Sequence, residues 1–215
     1  MINVIIPVLN EEVVLTEKAD YYQKLKTKAR IIFVDGGSTD RTGQVAKNYG
    51  EVILSGRGRA LQKNSGAANT QTEYLLFLHV DSYLCDDSMD AIVRALDNGV
   101  AGGCLTMKIE DGHWMFRLYE TIINFRAKYF RVLDGDLGLF VKRSVFNDLG
   151  QFDSVNIMED IMFAKKLRRA GRVQVLPQCI CVSSRKWHDN GFGKTFFAYS
   201  LAYLRYWTRI PSFKQ

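Results

Sequence analysis

The chain has 215 residues, 47% of them hydrophobic, enough to bury one sizeable core but too few for two ordinary domains with a linker. Its net charge of +6 is uneven: residues 161–215 hold eleven lysines and arginines against one acid, Asp189, which makes that segment +10 and leaves residues 1–160 at −4. The basic end calls for an anionic partner, whether a phosphate-bearing ligand, nucleic acid or a membrane surface, while the acidic remainder argues against a general nucleic-acid binder.

Taken in chain order, INVIIPV (2–8), RIIFVD (30–35), EVILS (51–55) and YLLFLHV (74–80) are short β-branched or aromatic runs and read as strands. Residues 11–28, 39–49 and 60–71 between them mix polar and apolar positions as amphipathic helices do. That alternation predicts βαβ units and a mainly parallel sheet with helices on both faces. Further on, VAGGCLTMKIE (100–110) reads as a strand, 113–130 as an aromatic-rich helix, and DLGLFVKRSVFNDLG (136–150) as a strand, a short helix and a glycine cap. IMEDIMFAKKLRRAG (157–171) has acids in its first turn, bases in its last and Gly171 as a stop, the order that matches the helix dipole. Two short strands follow near 172–176 and 179–183.

No apolar run approaches the ~20 residues needed to cross a bilayer, and INVIIPV has neither a basic region before it nor a small-residue cleavage site after it. A cytoplasmic protein is expected. Cys85, Cys104, Cys179 and Cys181 form no C-x-x-C pair, so reduced, mostly buried thiols are expected rather than a zinc site.

The strand ends carry PVLNEE, VDGGSTD, KNSG and HVDS. No G-x-G-x-x-G follows the first strand, and no glycine-rich loop adjoins a Lys-Ser/Thr pair, which excludes the usual dinucleotide and P-loop signatures. Carboxylates mark these strand ends instead. One such acid can accept hydrogen bonds from a ribose or base, and another can hold a divalent cation against phosphate oxygens. Glu159 and Asp160 open a helix whose N-terminus stabilises an ionised carboxylate, as a general base requires. Adjacent helical residues point about 100° apart, so one would catalyse and the other support.

The ordered series VIIPVLNEE, VDGGSTDRT, QKNSGA, a strand ending in an acid, and MEDI…KKLRRAG resembles the family 2 glycosyltransferases, over almost the whole chain to about residue 190. RGRALQKNSGA, LFLHVDS and GDLGLFVKR are most similar to the compact bacterial branch associated with radical SAM and selenodomain proteins, some of them named for arsenosugar biosynthesis. The resemblance implies a GT-A-like α/β single domain, with a mainly parallel central sheet flanked by helices and a short antiparallel part in the C-terminal half. It divides the chain into a nucleotide-sugar-binding half (1–105), an acceptor and catalytic half (106–190) and a basic aromatic C-terminal helix (191–215).

On the same resemblance, Pro7, Asn10 and Glu11 lie beside the nucleotide base and ribose, Asp35 binds base or ribose, and Ser38 and Asp40 shape the turn. Lys63 lines the nucleotide site near Asn64. Asp81 takes the last position of the D-x-D motif that grips a metal-bound sugar diphosphate, with Mn²⁺ or Mg²⁺ as cofactor. His79 stands where that motif has its first acid. It would add a nitrogen ligand, hydrogen-bond the diphosphate or ribose, or simply be satisfied within the core. The resemblance favours Asp160 as base and Glu159 as its partner, in an inverting transfer from a nucleotide-diphosphate sugar to an acceptor hydroxyl. Arg185, Lys186 and Trp187 either close over diphosphate and acceptor or form a solvated charge pair beside a partly buried tryptophan. Arg57 and Arg59 are loop cations that either meet phosphate or, by default, stay solvent-exposed. A sugar-nucleotide nucleotidyltransferase and a non-catalytic nucleotide-sugar-binding or membrane-docking module stay open as alternatives. In the tail FFAYSLAYLRYWTRI (196–210), Phe196, Tyr199, Tyr203 and Trp207 share helical spacing with Arg205 and Arg209 nearby. Such a helix rests peripherally on anionic lipid at the inner membrane face, near a small-molecule or lipid-linked acceptor, or packs on its own core or a second subunit.

Overall fold

β1 (Ile2–Val8) is buried along nearly its whole length, and its alternate residues divide between two apolar layers. Ile2, Val4, Ile6 and Val8 enter one layer, and Ile5 the other. β2 (Arg30–Asp35) repeats the pattern, with Ile31 and Phe33 on the first side and Ile32 and Val34 on the second. A period of two with both faces apolar is what a strand between two helical layers requires. This computed structural model describes residues 2–155 and 157–194 together with Phe197, Leu201 and Tyr203.

After β1 come α1 (Glu12–Glu17) and α2 (Ala19–Lys28), then β2, α3 (Thr42–Ala46), β3 (Glu51–Leu54), α4 (Arg59–Ala68) and β4 (Tyr74–Phe77). β5 (Tyr83–Leu84), α5 (Ser88–Asp97), β6 (Gly102–Ile109), α6 (Trp114–Phe130), a 3-10 turn (Gly135–Leu137), β7 (Leu139–Lys142) and α7 (Arg143–Asp148) continue the chain. α8 (Glu159–Ala170), β8 (Val173–Val182) and α9 (Arg185–Asn190) complete the described elements. The strands form one sheet in the order β3-β2-β1-β4-β7-β6-β8-β5. β3, β2, β1 and β4 run parallel, β7 is antiparallel to both β4 and β6, and β5 is antiparallel to β8. The expected mainly parallel α/β domain with an antiparallel part in its second half is therefore present.

Gly66 in the KNSG stretch owes its identity to the close approach of α4 to the sheet. A Cβ there would lie 2.5 Å from Ile5 Cγ2 and 3.0 Å from Val34 Cγ2. Residues 85–99 carry no element in the sequence reading, yet α5 forms there and buries Met89, Ile92, Ala95 and Leu96 at helical spacing.

Three local expectations are corrected. β4 ends at Phe77 rather than at residue 80: Leu78 N–H still bonds the Ile5 carbonyl at 3.1 Å, after which the chain turns and Ser82 N–H returns to the His79 carbonyl. His79 and Asp81 thus lie on a loop, which is pinned by a 2.6 Å hydrogen bond from the Tyr22 hydroxyl to the Val80 carbonyl. The two short strands expected around Pro177 are one strand, β8, whose pairing with β6 slips between Cys104 and Thr106. That irregularity accommodates the proline, which has no N–H for the ladder, and the Thr106 hydroxyl caps the Leu176 carbonyl at 2.7 Å. Finally, Cys85 and Cys179 are joined in a disulfide, contrary to the expectation of four reduced thiols. Cys85 follows β5 and Cys179 faces it across β8, a proximity that residues 94 positions apart do not reveal in sequence.

Candidate active site

The carboxyl ends of β1 and β2 meet the loop after β4 and the first turns of α4, α8 and α9. The chemistry-bearing residues gather there around two adjoining clefts. The larger, about 650 Å³, is bounded by Pro7, Glu11, Arg57, Arg59, Asp81 and Arg185, with Gln62 and His79 also on its wall. The smaller, about 360 Å³, is bounded by Tyr119, Asp134, Asp136, Glu159, Asp160 and Trp187. Arg59, His79 and Asp81 belong to both.

α8 begins with Glu159 and Asp160, and beneath them lies Lys63 of α4, which is 2% exposed. Its ammonium donates to Asp160 Oδ1 at 2.5 Å and Glu159 Oε1 at 3.0 Å, and sits 5.1 Å from the centre of the Phe152 ring. Burial alone would pull the lysine pKa down, but the two carboxylates outweigh it and keep the ammonium charged. Burial pushes the Asp160 carboxyl up to about 6, with Glu159 adding repulsion and Lys63 opposing it. For Glu159 the lysine prevails over burial and holds the carboxyl below its ordinary value. The pair therefore divides into a firmly ionised Glu159 and an Asp160 near the pKa suited to a general base at neutral pH. Asn64, next to Lys63, clamps the backbone of Phe152 by donating to its carbonyl at 2.9 Å and accepting from its N–H at 3.1 Å.

On the wall of the smaller cleft, a Cβ on Gly135 would lie 2.1 Å from Asp160 Oδ2 and 3.3 Å from His79 Nε2. Because the Lys63 bond restrains the Asp160 carboxylate, Gly135→Ala should displace it and lower turnover by at least about tenfold. Thermal stability should fall as well, because the displaced carboxylate is 8% exposed and belongs to the buried Lys63 ion pair. Parallel assays of turnover and unfolding temperature check this, and wild-type turnover would refute it.

On the larger cleft, the Arg185 guanidinium reaches Glu11 at 3.1 Å and Asp81 at 3.9 Å. Burial raises the Glu11 carboxyl despite the arginine. Burial likewise lowers the His79 imidazole, which is therefore neutral near pH 7 with a ring nitrogen able to accept, and Nε2 stands 3.5 Å from Asp136 Oδ1. Asp81, His79 and Asp136 offer an oxygen, a nitrogen and an oxygen at the junction of the clefts. They do not form a closed cage, since the three cysteines 85, 179 and 181 are the one group among the described residues with three ligand atoms within 4.8 Å. An open donor set suits Mg²⁺ or Mn²⁺, which usually bind through one or two carboxylates plus substrate phosphates and water.

Several sequence-predicted residues lie elsewhere. Asp35 Oδ1 accepts from Gly37 N–H, Ser38 N–H and the Ser38 hydroxyl at 3.0, 2.8 and 2.7 Å, so it organises its own turn. Asn10 has φ 54° and accepts from Thr39 N–H, while its own N–H bonds the Ser38 hydroxyl. None of these three is on a cleft wall. Lys63 is also off the nucleotide cleft, under the acid pair. Trp187 belongs to the smaller cleft, packed on Tyr119 at 4.8 Å and Phe192 at 5.0 Å between ring centres, away from Pro7 and Glu11.

Gln62 and the Asp134-Gly135-Asp136 turn are additions that sequence reasoning missed, while Arg59, read there as a loop cation, lines both clefts. Gln62 donates to the carbonyls of Val8 and Val34 at 3.0 and 2.7 Å, joining the ends of β1 and β2. Carboxylates flanking a glycine just before a strand were the signal for the turn. Asp134 is pushed up to about 6 by burial, pairs with Arg126 at 3.2 Å and accepts from the Tyr203 hydroxyl. Apart from Phe197, Leu201 and Tyr203, the tail helix expected at 196–210 lies outside the described residues, as does the side chain of Lys186.

Comparison with known proteins agrees with this architecture. The chain is 24% identical over 207 residues to the probable glycosyltransferase YdaM of Bacillus subtilis (strain 168), covering 83% of this chain and 49% of that protein. Among solved structures, S. aureus TarS 1–349 in complex with UDP-GlcNAc matches with a TM-score of 0.65 and 21% identity, over 85% of this chain and 58% of that one. The mannosyltransferase PcManGT from Pyrobaculum calidifontis, in complex with GDP-Man and Mn²⁺, matches with a TM-score of 0.65 and 20% identity, over 84% and 56%. The chain thus spans about half the length of the curated relative it matches, and these structures share its GT-A fold. The family model described as glycosyl transferase family 2 fits residues 3–150, which include β1, β2, α4, the loop after β4 and the Asp134-Gly135-Asp136 turn, and the chain belongs to that family.

Proposed function

We propose that the chain is an inverting glycosyltransferase that moves a sugar from a nucleotide-diphosphate donor to an acceptor hydroxyl. The observation that carries this reading is the meeting of two clefts at Arg59, His79 and Asp81, with Asp160 on the far side of that junction. The donor occupies the larger cleft, with its nucleoside near Pro7 and Glu11 and its diphosphate facing Arg57, Arg59 and Arg185. The acceptor enters the smaller cleft, between Tyr119, Trp187 and Asp160. Asp160 takes the proton from the acceptor hydroxyl as that oxygen bonds the anomeric carbon, and the bond from that carbon to the diphosphate breaks on the opposite side. Glu159 and Lys63 hold the Asp160 carboxylate in place, and Asp134 and Asp136 shape the acceptor floor. Asp81, with His79 and Asp136 in reach, would hold a divalent cation, whose charge would offset that of the departing diphosphate.

The neighbours' ligands, UDP-GlcNAc and GDP-Man, leave the base and sugar of this chain's donor to be chosen by assay. Membership of the radical SAM and selenodomain-associated branch is part of the same proposal and rests on the similarity of RGRALQKNSGA, LFLHVDS and GDLGLFVKR. The division into a donor half at 1–105, an acceptor half at 106–190 and a C-terminal helix at 191–215 belongs to the same proposal. So do a cytoplasmic setting and a small-molecule or lipid-linked acceptor. No helix among the described residues is long and apolar enough to cross a membrane.

Calorimetry with nucleoside diphosphates, with and without Mn²⁺, tests the donor site. Asp81→Asn should lose the metal-dependent part of affinity, at least about tenfold, while metal-free binding persists. Unchanged affinity with and without chelator rejects the assignment. Two substrate panels then separate reaction classes: release of nucleoside diphosphate from nucleotide-diphosphate sugars supports transfer, release of pyrophosphate from a nucleoside triphosphate with a sugar 1-phosphate makes the protein a nucleotidyltransferase, and neither leaves a binding module.

A further inference from the structure

The antiparallel register of β5 and β8 pairs Tyr83 with Cys181 and Leu84 with Ile180, and the bond from Cys85 N–H to the Cys179 carbonyl at 3.1 Å continues it. Cys85 therefore lies opposite Cys179, and the two-residue period of a strand puts Cys179 and Cys181 on one face. All three sulfurs lie within 4.8 Å of one another. Tetrahedral coordination with Zn–S bonds of about 2.3 Å needs sulfurs about 3.8 Å apart, so the cluster has the right scale once the disulfide opens. The Cys85 and Cys179 Cα atoms, 5.6 Å apart, leave room for the sulfurs to separate by side-chain rotation. Both residues are half-buried, which leaves solvent access to a fourth coordination position, while Cys181 is buried. Cys104 sits in the second apolar layer and is not a member of this group.

We propose that, with the Cys85–Cys179 bond reduced, Cys85, Cys179 and Cys181 form a three-thiolate site for a thiophilic d¹⁰ cation such as Zn²⁺ or Cu⁺. A dithiol reductant supplies the two electrons and two protons that convert the disulfide to two thiols and is itself oxidised to a disulfide. Cation binding then releases the thiol protons to solvent. A disulfide oxidant takes the electrons back, re-forms the Cys85–Cys179 bond and frees the cation. In a reducing compartment, where protein disulfides are rare, the metal form replaces the cross-link. Cys85 is four residues after Asp81, and Cys181 is four before Arg185, so either form ties together two segments that wall the larger cleft.

Titration of the reduced full chain with Cd²⁺ tests the site through thiolate-to-metal charge-transfer absorbance, with Zn²⁺ as competitor. One equivalent should saturate the signal, with affinity falling as pH is lowered because the ligands must be deprotonated. Cys181→Ser, and independently Cys85→Ser at its half-buried position, should weaken binding at least about tenfold, whereas Cys104→Ser should not. Oxidising the wild type with a disulfide oxidant should abolish the signal. A reduced wild type without a saturable one-equivalent signal, or binding equal in the wild type and Cys85→Ser, overturns the proposal.

Discussion

Asp160→Asn is expected to lower sugar transfer by about 10²- to 10⁴-fold, the range for loss of a positioned base, while donor affinity stays within about twofold. The substitution keeps the shape of the side chain and leaves Lys63 bonded to Glu159. Glu159→Gln should cost less in turnover, because its carboxylate bonds Lys63 at 3.0 Å and is held ionised for that purpose. The pH profile gives an independent check. A base raised to about 6 is ionised above that pH, so wild-type transfer should be level near pH 7.5 and fall toward tenfold per unit as pH drops below 6. The assay must contain a true acceptor, because hydrolysis of donor by water can proceed without the base. Wild-type transfer by Asp160→Asn sinks the assignment, as does full inactivation confined to Glu159→Gln.

Lys63→Met should be the most damaging single change to stability. It leaves two carboxylates, Glu159 2% and Asp160 8% exposed, without their shared cation. Breaking a buried ion pair from one side costs about 3–5 kcal/mol, which for a chain of this size lowers the unfolding temperature by roughly 10 °C. Adding Asp160→Asn to Lys63→Met should restore part of the loss, because one buried charge is removed with its partner. Thermal and denaturant unfolding of the single and double variants measure that coupling. A loss below about 1 kcal/mol, or strict additivity, would mean that the three groups do not interact as a buried unit.

The parallel half of the fold was legible because β1 and β2 repeat apolar residues on both faces and their loops end in turn formers. The candidate site was legible where one short segment carries cleft-lining residues: Pro7 and Glu11 at and just after the end of β1, Asp81 after β4, and Glu159 and Asp160 at the start of α8. What the sequence hid depends on contacts between distant segments. Lys63 meets Asp160 across 97 positions, and no local pattern distinguishes a lysine on a cleft wall from one buried beneath it. Cys85 meets Cys179 only because a two-residue strand lies antiparallel to β8, and so short a strand leaves no periodicity to read. Asp35 and Asn10 read as contacts to base or ribose, whereas their side-chain oxygens are engaged by backbone N–H groups of the turn itself. Arg59 looked like a loop cation and proved to be the first residue of α4, which aims it at the junction of the clefts.

That junction has a thermodynamic consequence. On the proposed reading, a diphosphate that draws Arg59, His79 and Asp81 toward itself would also reshape the entrance to the acceptor cleft, because these side chains line both clefts. The two affinities are then linked, and linkage is reciprocal: whatever factor the bound nucleotide applies to acceptor binding, the acceptor applies to nucleotide binding. A cooperative pair of ligands would accordingly fill the protein in preference to either one alone, and the spent nucleotide would hold less tightly once the glycosylated product has gone.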